Sequence, residues 1–273
     1  MKRRVWSWTV AMIVCSCAAG ALAQAQPKDS NLPSGRDVYE KFIAATGGRA
    51  NYEKIKSRVT SAKMELPAQG IKGTLTMYQV APASGYMVID LPGAGMIERG
   101  TDGTVVWETN PMTGPRIMSG QEREQALREM KINSELDPDA YYDSIETKSL
   151  EDVNGKPCYR VDFVSKTGVK ESRWYDKDSG LLVKGSVDVL SQMGPIHAES
   201  TVEDYRDVDG LKVPFKTTQT GNGLTFVVTM EKMEHNVDVP KEKLALPEEV
   251  KKLLAKQATQ PAAESGATTQ PAK

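Results

Sequence analysis

The sequence predicts a mainly β protein built on one large, curved antiparallel sheet, with a few short helices covering the concave face. Three observations carry that expectation. First, Gly155, Gly168, Gly180, Gly194, Gly210 and Gly223 follow one another at intervals of 13, 12, 14, 16 and 13 residues. That is the period of strands of roughly 5 to 10 residues joined by short turns. Second, the segments between these glycines alternate apolar and polar residues, as strands do when one face is covered and the other is wet. Third, helix-forming segments are few and short. They cannot hide one face of a sheet of about ten strands, so the sheet has to fold on itself, hold something apolar, or do both.

The elements follow in order. Lys2, Arg3 and Arg4 precede a largely apolar run from Val5 to Cys17 and small residues at Ala21 and Ala23. This is the pattern of an export signal, residues 1–23, cleaved after Ala23; the run is shorter than the roughly 20 residues that span a bilayer. Val14-Cys15-Ser16-Cys17 also loosely fits an acylation box, which gives a lipoprotein anchored through Cys17 as the alternative start. Residues 24–34 read as a polar leader. Val38, Phe42 and Ala45 share a face of a helix over Asp37 to Ala45, ended by Gly47 and Gly48. A second short helix covers Ala50 to Ile55.

Strands are expected over Lys56 to Leu66 and Ile71 to Val80, around a turn at Pro67 to Gly70. Gly85 to Leu91, Met96 to Arg99 and, after an Asp102-Gly103 turn, Thr104 to Glu108 continue them. Gln121 to Lys131 interrupts the pattern as an amphipathic helix, with Ser119 as cap and Glu122 as capping-box partner. Asp137 to Tyr142 adds a turn of helix. From Asp143 the meander runs to Val239, and Pro240 closes it. The folded domain is expected over residues 35–247. Pro247 to Lys256 then forms a short helix, and Ala258 to Lys273 is a disordered tail of Thr, Gln, Pro and Ala.

Alternation sorts the side chains into two sets. The apolar set runs through Ile71, Leu75 and Met77; Met87, Ile89 and Leu91; Val105 and Trp107; Tyr159, Val161 and Phe163; and Leu224, Phe226, Val228 and Met230. The wet set includes Lys72, Thr74, Arg160, Asp162, Lys184 and Lys216. Ten methionines remain once residues 1–23 are removed, and unbranched thioethers adapt to ligands without a fixed shape, such as acyl chains. Curvature, sparse cover and soft lining together point to a lipid ligand rather than to core filling alone.

Charge and cysteine content exclude other classes. Without residues 1–23 the chain has 32 Lys and Arg against 36 Asp and Glu, a net charge of −4. That offers no basic footprint for nucleic acid or an anionic lipid surface. Cys158 is the one cysteine outside the export segment, so neither an internal disulfide nor a thiolate metal cage is expected. An enzyme is not expected either. The histidines are His197 and His235, on strands separated by another strand, and no nucleophile elbow, zinc helix or phosphate loop is present. Asp176 to Gly180 opens like a calcium loop but carries Val187 at the twelfth position, so a hairpin turn explains it better. His197 and Glu199 supply two potential ligands, too few for a metal site. No cofactor is expected.

Several turn motifs together resemble one family. Asp102-Gly103 with Trp107, Gly114 to Glu122, Asn154-Gly155-Lys156 with Tyr159, Tyr175-Asp176-Lys177 with Gly180-Leu181-Leu182, and Asp204-Tyr205-Arg206 with Gly210 and Pro214 are similar to the LolA-like, outer-membrane lipoprotein-sorting proteins of bacteria. The resemblance covers roughly residues 35–247. It implies a periplasmic half-barrel of about eleven strands, with short helices as a lid over an apolar cavity that receives lipoprotein acyl chains or another lipid. Leu75, Met77, Met87, Ile89, Val105, Trp107, Tyr159, Val161, Phe163, Phe226 and Val228 are the candidate lipid-binding residues. One feature departs from the family. The sorting carriers commonly have an arginine before the proline after the second strand, where it latches the lid. This chain reads Val80-Ala81-Pro82, leaving Arg99 on a neighbouring strand as a substitute. A sensor or scaffold using the same groove to bind an envelope protein partner is the alternative to a carrier.

Overall fold

The computed structural model describes residues 31–191 and 194–259. The export segment, residues 24–30 of the leader, Met193 and the tail from residue 260 lie outside the described residues. Thirteen strands form one antiparallel sheet: β1 Ser57–Leu66, β2 Ile71–Val80, β3 Ser84–Leu91, β4 Gly95–Thr101, β5 Val106–Asn110, β6 Gly114–Ile117, β7 Tyr142–Val153, β8 Lys156–Ser165, β9 Lys170–Asp176, β10 Leu182–Ser191, β11 Gly194–Val208, β12 Leu211–Gly221 and β13 Leu224–His235. The helices are α1 Gly35–Ala45, α2 Arg49–Tyr52, α3 Gly120–Met130, α4 Lys241–Leu244 and α5 Glu248–Thr259. The strands exceed the expected eleven partly because β6, with four residues, is too short to show alternation.

The sheet order is β6-β5-β4-β3-β2-β1-β13-β12-β11-β10-β9-β8-β7. The chain therefore walks outward from β1 to one edge, crosses to the opposite edge through α3, and walks back until β13 pairs with β1. Eight strand spacings separate β4 from β9, about 38 Å along a flat sheet at ~4.8 Å each. An 11-residue helix such as α3 is only about 16 Å long, yet its side chains bond to both strands: Glu129 to Arg99 of β4 and Arg128 to Glu171 of β9. The sheet must curl around α3. The face toward α3 is its concave, inner face.

Helix α1 seals one part of that inner face. Ser34 Oγ accepts a 3.1 Å hydrogen bond from the Asp37 backbone N–H and caps the helix. Val38, Tyr39 and Ile43 then pack on Tyr142, Val161, Phe163 and Tyr175 of β7, β8 and β9. Helix α3 starts differently. The Ser119 side chain makes no capping bond, and Glu122, the expected capping-box partner, is drawn instead to Arg116 of β6 at 2.5 Å.

The outer face has a cover that the alternation pattern does not predict. Leu244, Leu246, Val250 and Leu254 pack on Tyr78, Tyr86, Val88, Val105, Trp107 and Ile117, with Val250 fully buried. The helix expected beyond the domain is thus packed against its sheet. Trp107 and Val105 belong to this outer layer, which corrects their assignment to the inner set. Thr101 pairs with Val106 across the β4–β5 hairpin, so four loop residues switch the parity, and residues 106 and 108 face inward on β5.

Candidate functional site

The inner face holds a cavity of about 490 Å³ between the sheet, α1 and α3, within the ~300–1,000 Å³ of typical ligand sites. Met77, Met230, Met233, Leu182 and Phe42 supply its apolar wall. The remaining lining is more polar than the sequence predicts. Arg58, Gln79 and Thr60 come from β1 and β2, Arg128, Glu129 and Lys131 from the end of α3, and Tyr39, Tyr142, Tyr175 and Arg173 from α1, β7 and β9.

Two buried glutamates on opposite arms of the sheet receive α3. On the β4–β6 arm, Glu108 accepts from Arg99 at 2.8 Å and from Arg116 at 2.9 Å. Arg116 also bonds Glu122, and Arg99 lies 3.6 Å from Glu129, both on α3. Burial pushes the Glu108 carboxyl up, and Arg99 and Arg116 outweigh it, leaving the pKa below the usual carboxylate value. Arg99 thus reaches the crossover helix from the strand beside the arginine-free Val80-Ala81-Pro82 corner.

On the β9 arm, Arg173 donates to Glu171 Oε2 at 2.7 Å and to the Tyr142 hydroxyl. Arg128 of α3 donates to the same hydroxyl, and its Nη1 lies 2.6 Å from Glu171 Oε1, an ion pair off the line of a good hydrogen bond. Burial raises the Glu171 carboxyl, but the charges of Arg173 and then Arg128 hold it below its ordinary value. The Arg173 guanidinium also stacks 4.4 Å over the Phe163 ring. Beside it, the buried Tyr175 hydroxyl makes no well-formed hydrogen bond among the described residues; burial pushes its pKa up to about 12, with the neighbouring Arg173 pulling the other way.

The sequence-predicted residues divide into four groups. Met77 lines the cavity. Met87 pairs with Met77 in register on the same inner face. Leu75, Ile89, Phe226 and Val228 gather around Met64, Leu66 and Leu91 at the far end of the inner face, half-buried in a cluster to which no helix contributes. Val161 and Phe163 are wholly packed beneath α1, with Tyr159 against them, so they present no surface to a ligand. Val105 and Trp107 lie on the outer face. The alternation set passes over Glu171 and Arg173. The signal for them was the β8–β9 register, since Phe163 pairs with Glu171, Val161 with Arg173 and Tyr159 with Tyr175; once Phe163 points inward, so do they.

Other surfaces offer less. The outer groove over β7–β11 is of similar volume, about 540 Å³, but most of its charges are matched, Lys148 with Glu146 and Arg160 with Asp162, and His197 hydrogen-bonds Asp188. The Asp176 turn is a hairpin device, its Oδ1 accepting from the Asp178 and Ser179 N–H groups. Among the described residues no three of His, Cys, Asp and Glu come together as a metal site.

No protein-family model and no curated protein matches the sequence. Solved structures do match the fold. A LolA superfamily protein from Nitrosomonas europaea superposes with a TM-score of 0.55 at 14% identity, covering 79% of this chain and 99% of that one. A DUF1329 family protein from Desulfovibrio piger gives 0.54 at 11% identity, covering 77% and 96%. The chain therefore has a LolA-like fold, the architecture that its turn motifs resemble.

Proposed function

We propose that the protein works in the bacterial envelope as a non-enzymatic carrier that holds a lipid or lipoprotein acyl chain in the inner cavity and moves it towards the outer membrane. The carrying observation is the hollow itself. A sheet curled around α3 leaves about 490 Å³ unfilled, and the half-buried Leu75, Ile89, Phe226 and Val228 extend its apolar wall past the helices. Exposed apolar strips of this kind mark binding surfaces. Fold likeness supports the architecture and says nothing of cargo.

Lipid extraction and native mass spectrometry of the protein purified from the periplasm test the reading. Bound hydrocarbon in the wild type, lost in Phe226→Glu or Met87→Glu but retained in the outer-face Lys72→Glu, is the expected outcome. Equal retention in all of them would discard it. Depletion in the native host should strand lipid or lipoprotein in the inner membrane; intact sorting with altered signalling would instead indicate a sensor.

A further inference from the structure

We infer that the cavity ligand is an acidic amphiphile, a hydrocarbon chain ending in a carboxylate or phosphate, and that Arg128, Arg173 and Tyr175 receive its acid group. The inference rests on the reading of the cavity as a hydrocarbon site and adds the chemistry of the ligand's polar end. Its basis is a charge imbalance. At the β9 arm two guanidinium groups share one carboxylate, Glu171, and one hydroxyl, Tyr142. Two positive charges against one negative, in a site largely withdrawn from water, leave a cation without a counter-charge, and an uncompensated buried charge is costly. The β4–β6 cluster under the same helix has no such excess, its Arg99 and Arg116 meeting Glu108, Glu122 and Glu129.

A second, independent feature points to the same place. The Tyr175 hydroxyl is buried on the cavity wall beside Arg173 and makes no well-formed hydrogen bond among the described residues, a state that buried polar groups seldom keep without a reason. An acid oxygen lodged between Arg173 and Tyr175 would accept from both. The other charged groups on the lining do not pair with them. Glu129 is turned to Arg99, and Glu135, whose buried Oε2 has no hydrogen-bond partner among the described residues, makes no ion pair with Arg128 or Arg173. Arg58 bonds His235 and Gln79, and Lys131 lies 5.5 Å over the Tyr141 ring. The methionine wall of Met77, Met230 and Met233 lies along the same cavity and would take the chain.

Titration calorimetry of delipidated protein at pH 8 with dodecanoate, dodecyl phosphate, dodecanol and inorganic phosphate tests the inference. An acidic amphiphile should bind at least about tenfold more tightly than dodecanol, the gain of one charge-assisted hydrogen bond, and the tighter of the two acids names the head group. Arg173→Gln should abolish that preference, bringing the acids to the affinity of dodecanol. Should that variant fail to fold, Tyr175→Phe, which removes only the hydroxyl, should reduce the preference severalfold. Equal affinity for dodecanol and both acids would overturn the acid pole while leaving the hydrocarbon site standing. Binding of none of the chains would remove both, and inorganic phosphate binding as tightly as dodecyl phosphate would replace the amphiphile by a free anion.

Discussion

Helix α3 meets the two arms of the sheet through clusters that look alike and are balanced differently. At β4–β6, two arginines sit among three glutamates, and each arginine keeps a partner on α3 if Glu108 is lost. At β9, two arginines share Glu171 as their one ion-pair partner among the described residues. A self-sufficient cluster fastens a helix. One that is short of an anion fastens it only partly and leaves electrostatic attraction for something else. The same crossover helix is thus tied firmly to one arm, through Glu122 and Glu129, and less completely to the other, through Arg128.

Removing each glutamate should break that comparison open most clearly. Glu171→Ala leaves Arg128 and Arg173 buried without a carboxylate and should cost about 3–5 kcal/mol. Glu108→Ala should cost about 1–3 kcal/mol, since Glu122 and Glu129 remain. Urea unfolding of both variants measures the difference. Equal losses would mean that the β9 cluster finds a counter-charge elsewhere.

Two apolar stretches of the inner face differ as well. Phe163 is fully buried under α1, whereas Phe226 is half-buried in a cluster no helix joins. Phe163→Ala should cost about 3–5 kcal/mol and leave lipid retention per folded molecule unchanged. Phe226→Ala should cost less, about 1–2 kcal/mol by the area it hides, and lower retention. Parallel melts and lipid extraction separate the two effects, and a reversed order would show that the ligand strip lies on the α1 side.

The sheet was legible in the sequence, but this division was not. The glycine spacing gives the meander, and β8 and β9 could be paired by eye around Gly168, because Tyr159 and Tyr175 stand symmetrically about the turn. What alternation cannot give is the parity across each hairpin. Four loop residues between Thr101 and Val106 moved Trp107 from the expected inner face to the outer one, and nothing in their composition fixes that count. The ion clusters were hidden for a different reason. Among 71 charged residues, the sequence does not mark which few are buried, since burial of Glu108 and Glu171 depends on the curl that brings α3 across the sheet.

Acid should loosen the helix from both arms. Glu108 and Glu171 have folded pKa values below their unfolded ones, so their contribution is complete above the unfolded value of about 4.3 and is lost as pH falls through the folded values. Melting temperatures between pH 7 and pH 3 should drop in that lowest window. Glu171→Gln or Glu108→Gln should each flatten the drop. His235 acts in a separate window. Burial and then Arg58 depress its pKa despite Asp209, so its contribution is full above about 6.5 and declines as pH falls below that. A single transition near pH 6 that both glutamine variants leave untouched would assign the acid response to His235 instead.

The smallest effect concerns how each covering helix begins. Helix α1 carries its own start signal, because Ser34 Oγ accepts from the Asp37 N–H, so Ser34→Ala should cost about 1 kcal/mol. Helix α3 has a serine at the same position, but the Ser119 side chain makes no such bond, and Glu122 holds Arg116 rather than closing a capping box. Ser119→Ala should therefore fall within about 0.5 kcal/mol of wild type. The helix that seals the core is fixed by its own sequence, and the helix that roofs the cavity is fixed by the sheet beneath it. A Ser119→Ala loss as large as that of Ser34→Ala would mean that α3 is held locally and that the ion clusters do not set its position.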